Sequence, residues 1–172
     1  MVKYRNRLLA GFIVLMLFKV AGCASDTAVR SAVGEFSYSN WGQYRQTMQL
    51  SREDAVAKYN YCPTGGCVVR LESTDVKPSR AYKGETLTLT TAYTILTPEE
   101  VAIPVTISRE IFFKGKSLGQ ARTTNTRNFN GTWTYQIDFS LPSNAAAGIY
   151  TLVTKVNTGY GSDRKSLEFT VE

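Results

Sequence analysis

Three cysteines, at positions 23, 62 and 67, and the lack of any histidine bound the chemistry open to this 172-residue chain. Without imidazole, neither a Ser-His-Asp nor a Cys-His nucleophile system can be assembled. The commonest general base and the commonest metal ligand are missing as well, and zinc sites that use histidine fall with them. No glycine-rich loop has P-loop or dinucleotide-binding spacing. The adjacent carboxylates Glu53-Asp54 and Glu99-Glu100 read as solvated charges at a helix start and in a loop. The expectation is a chain with no catalytic residue, no metal site and no cofactor, and so not an enzyme.

The residues suited to binding are aromatic. Between positions 24 and 50, Gly, Ser and Asn alternate with Phe36, Tyr38, Trp41 and Tyr44. Trp41, Tyr44 and Met48 fall at helical spacing, which predicts a short amphipathic helix. Tyr38, Trp41 and Tyr44 are the candidate binding residues. The plain reading packs them on the main domain. The sharper reading makes them a patch for a partner or a glycan, since exposed aromatics at this density are otherwise a liability.

The N-terminus carries a different signal. Lys3, Arg5 and Arg7 precede an apolar run of 11 residues from Leu8 to Phe18, and Val20-Ala21-Gly22-Cys23 follows. A bilayer-spanning helix needs about 20 apolar residues, whereas this length suits the h-region of a secretory signal. The segment resembles a bacterial lipoprotein signal peptide ending in a lipobox, although Lys19 departs from the usual pattern. The resemblance implies that the Cys23 thiol receives a diacylglyceryl group, that the chain is cut before it, and that the new amine is acylated. Two or three acyl chains, at about 0.8 kcal/mol per buried CH₂, give firm anchoring. In Gram-negative lipoproteins an Asp directly after the cysteine tends to retain the protein in the inner membrane. Ala24 stands there, so the resemblance implies the outer membrane, facing the periplasm or the surface, or surface anchoring where the organism has a single membrane. Removing residues 1–22 takes away four basic side chains and leaves 150 residues with a formal charge of +2, against +6 for the whole chain. So mild a balance gives no argument for nucleic acid.

In an exported chain, Cys62 and Cys67 read as a disulfide. Pro63-Thr64-Gly65-Gly66 between them permits a tight turn, and so small a loop adds about 2 kcal/mol. A redox-active pair is the alternative. It is disfavoured because four residues separate the cysteines and no His or Lys lies adjacent to lower a thiol pKa. Just before the pair, Ser51 followed by Glu53 and Asp54 predicts a helix start, with Ser51 capping the Asp54 amide and Ala55, Val56 and Tyr59 inward.

From Val68 the pattern changes to strands. Thr86–Tyr93 alternates leucine with threonine. Val105, Ile107, Arg109 and Ile111 share a face, with Arg109 expected near an edge. Lys114-Gly115 and Asn130-Gly131 mark turns, and Trp133, Tyr135, Ile137 and Phe139 line one face of a further strand. About seven short strands without an intervening helix predict an all-β, antiparallel two-sheet sandwich. Phe139-Ser140-Leu141-Pro142 followed by Ala147-Gly148-Ile149-Tyr150-Thr151-Leu152 is similar to the Pro-x(n)-Gly-x-Tyr segment of bacterial immunoglobulin-like and fibronectin-III-like domains. That resemblance implies an immunoglobulin-like fold over residues 68–172, with Tyr150 forming a corner with the loop before it. The expected organisation is a signal peptide at 1–22, then a tether with a short helix and a small disulfide loop at 23–67, then the sandwich. The expected role is a non-enzymatic interaction or assembly module in the envelope. Its partners are the membrane, through the lipid, and an envelope protein. Glycan binding through the N-terminal aromatics and a thiol–disulfide role are the alternatives.

Overall fold

Alternation of period two runs through most of the described chain and sorts it into two sheets. The computed structural model describes residues 40–119 and 122–172. The expected signal segment, Cys23, the start of the tether and Tyr38 lie outside the described residues. Ten strands and one α-helix follow in order: β1 (Trp41–Leu50), α1 (Arg52–Tyr59), β2 (Val68–Lys77), β3 (Arg80–Ala81), β4 (Thr86–Leu96), β5 (Ile103–Phe113), β6 (Lys116–Ser117), β7 (Arg122–Asn128), β8 (Gly131–Ser140), β9 (Gly148–Thr158) and β10 (Gly161–Val171). One sheet has the order β1-β8-β4-β2. The other runs β3-β10-β9-β5-β6, with β7 also on β5. The architecture is all-β, and every pairing is antiparallel except β3 on β10.

Residues 41–50 are a strand, which corrects the helical reading of Trp41, Tyr44 and Met48. β1 pairs with β8, and Trp41 lies opposite Phe139 while Tyr44 lies opposite Ile137. Three residues of β1 therefore match two of β8. That extra residue is a β-bulge, which bends the strand and re-aims its side chains. It keeps both aromatics on the inner face at a spacing of three, which in the sequence imitates a helical turn. The sheet thus begins at Trp41, well before Val68.

The expected cap of α1 is in place, with the Asp54 amide donating to Ser51 Oγ at 3.2 Å. Asn60, at φ 48°, ends the helix in the left-handed region. α1 lies over the outer face of the β1–β2 sheet and buries Ala55, Thr94 and Thr132. Lys58 and Tyr59 of the helix bond to Glu72 of β2 and hold it there. The alternation of β4 therefore stops at its end, where Tyr93 to Leu96 are all buried.

The core has two apolar halves. One contains Leu87, Leu89, Phe113, Ile137, Phe139, Tyr150 and Phe169. The other contains Leu71, Tyr93, Ile95, Ile107, Tyr135 and Val156. In the first half Tyr150 stacks on Phe169 at 5.4 Å, and its hydroxyl donates to the Ala146 carbonyl at 2.7 Å. This is the corner expected of Tyr150.

A polar layer separates the halves. Reading along the inward positions, β4 runs Leu89, Thr91, Tyr93; β5 runs Ile107, Arg109, Ile111; and β9 runs Leu152, Thr154, Val156. Register puts Thr154 and Arg122 opposite Arg109 on its two sides, and Thr91 opposite Tyr135 in the facing sheet. Arg109 is therefore not near an edge, as the sequence suggested. β5 is flanked by β7 and β9, and Arg109 is fully buried at 0% exposure.

The two long seams between the sheets differ. On one side Asp163 of β10 accepts the Leu71 amide of β2 at 2.9 Å, and Lys165 donates to the Glu72 carbonyl at 2.8 Å. These bonds close the sheets over the β2 edge. On the other side β1 and β7 face each other, and a Gln46–Thr126 side-chain bond at 3.3 Å is a link between them.

Candidate functional site

The β1/β7 seam is the candidate site. An open pocket of about 620 Å³ lies there, lined by Trp41, Gly42, Gln43, Tyr44 and Arg122. Such a volume accommodates a small ligand or a side chain or two of a partner. Of the three sequence candidates, the structure brings Trp41 and Tyr44 to this pocket, and Tyr38 lies outside the described residues. The two have different exposures. Trp41 is only 9% exposed and packs on Phe139 with ring centroids 5.0 Å apart. Tyr44 is 43% exposed and stacks on Tyr135 at 4.7 Å with the planes 23° apart. Trp41 therefore walls the pocket, and Tyr44 presents a ring to solvent.

Behind Tyr44 the polar layer runs inward. The Arg109 guanidinium sits over the Tyr135 ring, 5.0 Å from its centroid. Tyr44, Tyr135 and Arg109 thus form a ladder from solvent to core. Arg109 Nη2 donates to Thr91 Oγ1 at 3.3 Å. Its Nε and Nη1, and the Thr154 hydroxyl, have no hydrogen-bond partner among the described residues. Among the described residues, the ionisable groups that shift Arg109 are Tyr135, Tyr93 and Arg122, with no carboxylate among them. Burial pulls the guanidinium down to about 10, because a charge loses its hydration in the core. The same burial pushes Tyr135 up to about 12 and raises Tyr93 further. Sequence reading took Arg109 for an edge residue and passed over Arg122. The signal that could have found the layer is a polar residue in each of three strands whose nearest inward neighbours on both sides are apolar.

β1 itself has an unusual edge. Among the described residues no strand pairs with its other side. Its sequence, WGQYRQTMQL, carries one charge, Arg45, which faces Asp138 at 3.6 Å. Between its two irregularities the register runs unbroken from Tyr44 to Met48.

Cys62 and Cys67 lie away from this seam, on the turn after α1, as free and exposed thiols. Cys62 Sγ contacts Thr64 Oγ1 at 3.0 Å, and this hydrogen bond lowers the thiol below its ordinary pKa. Among the described residues no group of three or more Cys, Asp or Glu is placed to hold a metal ion. No helix among them is long and apolar enough to cross a membrane.

No protein-family model and no curated protein matches the sequence. Solved structures align with part of the chain. A DNA glycosylase of Pseudomonas fluorescens, bound to DNA containing an abasic-site analogue, aligns with TM-score 0.45 and 15% identity over 60% of this chain and 30% of that protein. A β-glucosidase of Erythrobacter marinus aligns with TM-score 0.48 and 8% identity over 62% of this chain and 16% of the enzyme. The sporulation control protein Spo0M of Bacillus subtilis aligns with TM-score 0.35 and 14% identity over 63% of this chain and 50% of that one. The chain spans half or less of the length of each of these structures.

Proposed function

We propose that this chain is a lipid-anchored envelope protein whose immunoglobulin-like sandwich acts as a non-enzymatic interaction module, taking an extended segment of an envelope protein along β1. The observation that carries this reading is the β1 edge. A strand free on one side offers a row of backbone donors and acceptors to an incoming strand. Proteins usually guard such edges with lysine, proline or bulges. Here the bulges lie at the two ends, and Tyr44 to Met48 are left regular and nearly uncharged. The opposite edge, β2, is occupied by contacts from β10. The sandwich reading is supported by the Tyr150 corner and by β3 lying parallel to the last strand. The anchor reading rests on the lipobox at Cys23, and the outer-membrane assignment on Ala24. In an oxidising compartment Cys62 and Cys67 are proposed to join as a structural bridge. Thiol counting on the exported protein, with and without reductant, checks that.

The test is a photoreactive residue placed at Gln43 or Thr47 in the full lipidated chain, crosslinked in the cell. One dominant envelope protein captured at both positions, and not at Lys83, supports the reading. Capture of nothing, or a crosslink to residues 24–39 of the same chain, overturns it. A second reading, glycan binding, is favoured by the exposed Tyr44 ring. Loss of polysaccharide pull-down in Tyr44→Ala supports that one, and no binding by the wild type ends it.

A further inference from the structure

We propose that the polar layer, where it meets the β1/β7 seam, is a carboxylate-binding site, and that its ligand is an acidic side chain of the segment that pairs with β1. The proposal rests on the interaction reading above and gives the partner a chemistry. Register places Arg109 and Arg122 side by side on neighbouring strands. Like charges directly opposite are destabilising, and a buried charge without a partner is more so. Yet Arg109 is fully buried, and two of its nitrogens and the Thr154 hydroxyl beside it lack partners among the described residues. Arg122 lines the pocket, and Arg109 lies beside it as its register partner on β5.

An anion entering between them meets two positive groups in a region of low dielectric. A planar guanidinium fork matches the two oxygens of a carboxylate. The walls favour a side chain over a free ion, because Trp41 and Tyr44 flank the opening with apolar ring surface. Every second side chain of a strand laid on β1 points to one face of the sheet, and one such set points to the face carrying Tyr44 and Gln46. Gln46 already reaches across that face to Thr126 and towards the Tyr93 hydroxyl. An acidic side chain of an added strand on that face is brought to the entrance that Arg122 lines.

The experiment is thermal melting of the full lipidated chain in neutral detergent with succinate as probe, at fixed ionic strength. Succinamide, phosphate and chloride are the comparisons. The expected result is a saturable rise in melting temperature with succinate and none with succinamide. Arg122→Gln should weaken the apparent affinity at least tenfold, and Arg109→Met should abolish the response. An equal response to chloride, tighter binding of phosphate, no saturable response, or an unchanged response in both variants overturns the site. Capture at Gln43 and Thr47 without a succinate response overturns the carboxylate site alone. Succinate binding without such capture overturns the assignment of the carboxylate to a β1-paired segment.

Discussion

Arg109→Met is expected to make the protein more stable. The wild-type guanidinium is held down to about 10 by burial. At about 1.4 kcal/mol for each pH unit below the ordinary arginine value, keeping it charged costs about 3 kcal/mol. The substitution also removes a long hydrogen bond to Thr91 and the contact with the Tyr135 ring. These are worth about 1 kcal/mol each at most. Methionine fills similar space with an adaptable apolar chain. The net gain is about 1–2 kcal/mol, or about 4–8 °C in melting temperature for a domain of this size. Urea unfolding at neutral pH, with the slope unchanged, measures it. A loss of about 3 kcal/mol or more is what breaking a buried ion pair produces. That result would show that Arg109 has a counter-charge in the native protein and refute the reasoning. The pH dependence gives a second check. Native Arg109 releases its proton near pH 10 while the unfolded chain still holds it, so its contribution to stability rises with pH above that point. Tyr93 and Tyr135 act oppositely: they stay protonated in the fold after the unfolded chain has lost those protons. Arg109→Met keeps the tyrosine fall and loses the arginine rise. Its advantage over the wild type should shrink above pH 10.

Three further outcomes test the frame. Tyr150→Phe removes the bond to the Ala146 carbonyl and should lower stability by about 1–2 kcal/mol, read as a shift of the urea midpoint. Gly131→Ala should lower it by about 1–3 kcal/mol in the same assay. Gly131 has φ 143°, and a Cβ there would lie 2.6 Å from the Leu50 carbonyl oxygen. Asp163→Ala frees the Leu71 amide; its hydrogen exchange should accelerate while that of Tyr150 stays protected, and a uniform change would mean that the β2/β10 seam is not closed locally.

Much of the frame is legible in the sequence because it rests on local rules. The Ser51 cap, the Lys114-Gly115 turn with both residues at positive φ, and the Tyr150 corner each depend on a few neighbouring residues. Alternation in Thr86–Tyr93 and in Trp133–Phe139 shows which face is inward. The site is less legible because it depends on register. Trp41, Tyr44 and Met48 imitate a helical spacing through a bulge that exists only against β8. Arg109 looks like an edge residue because an unpaired cation in a core is costly. Only the pairing of β5 between β7 and β9 puts it inside. Thr91 and Thr154 look like ordinary strand threonines until the two sheets bring them to the level of Arg109. Asp163 and Lys165 give no sequence sign that they close a seam, since their partners are backbone groups more than ninety residues away.

The central claim is that β1 is the surface on which a partner strand is added. Hydrogen–deuterium exchange on the full lipidated chain, alone and with the partner captured at Gln43 and Thr47, tests it most directly. The account predicts that the alternate amides between Tyr44 and Met48 that point away from β8 exchange readily in the free protein and become strongly protected in the complex, with α1 unchanged. Protection confined to α1 or to the β2/β10 side, with β1 unaltered, would contradict it.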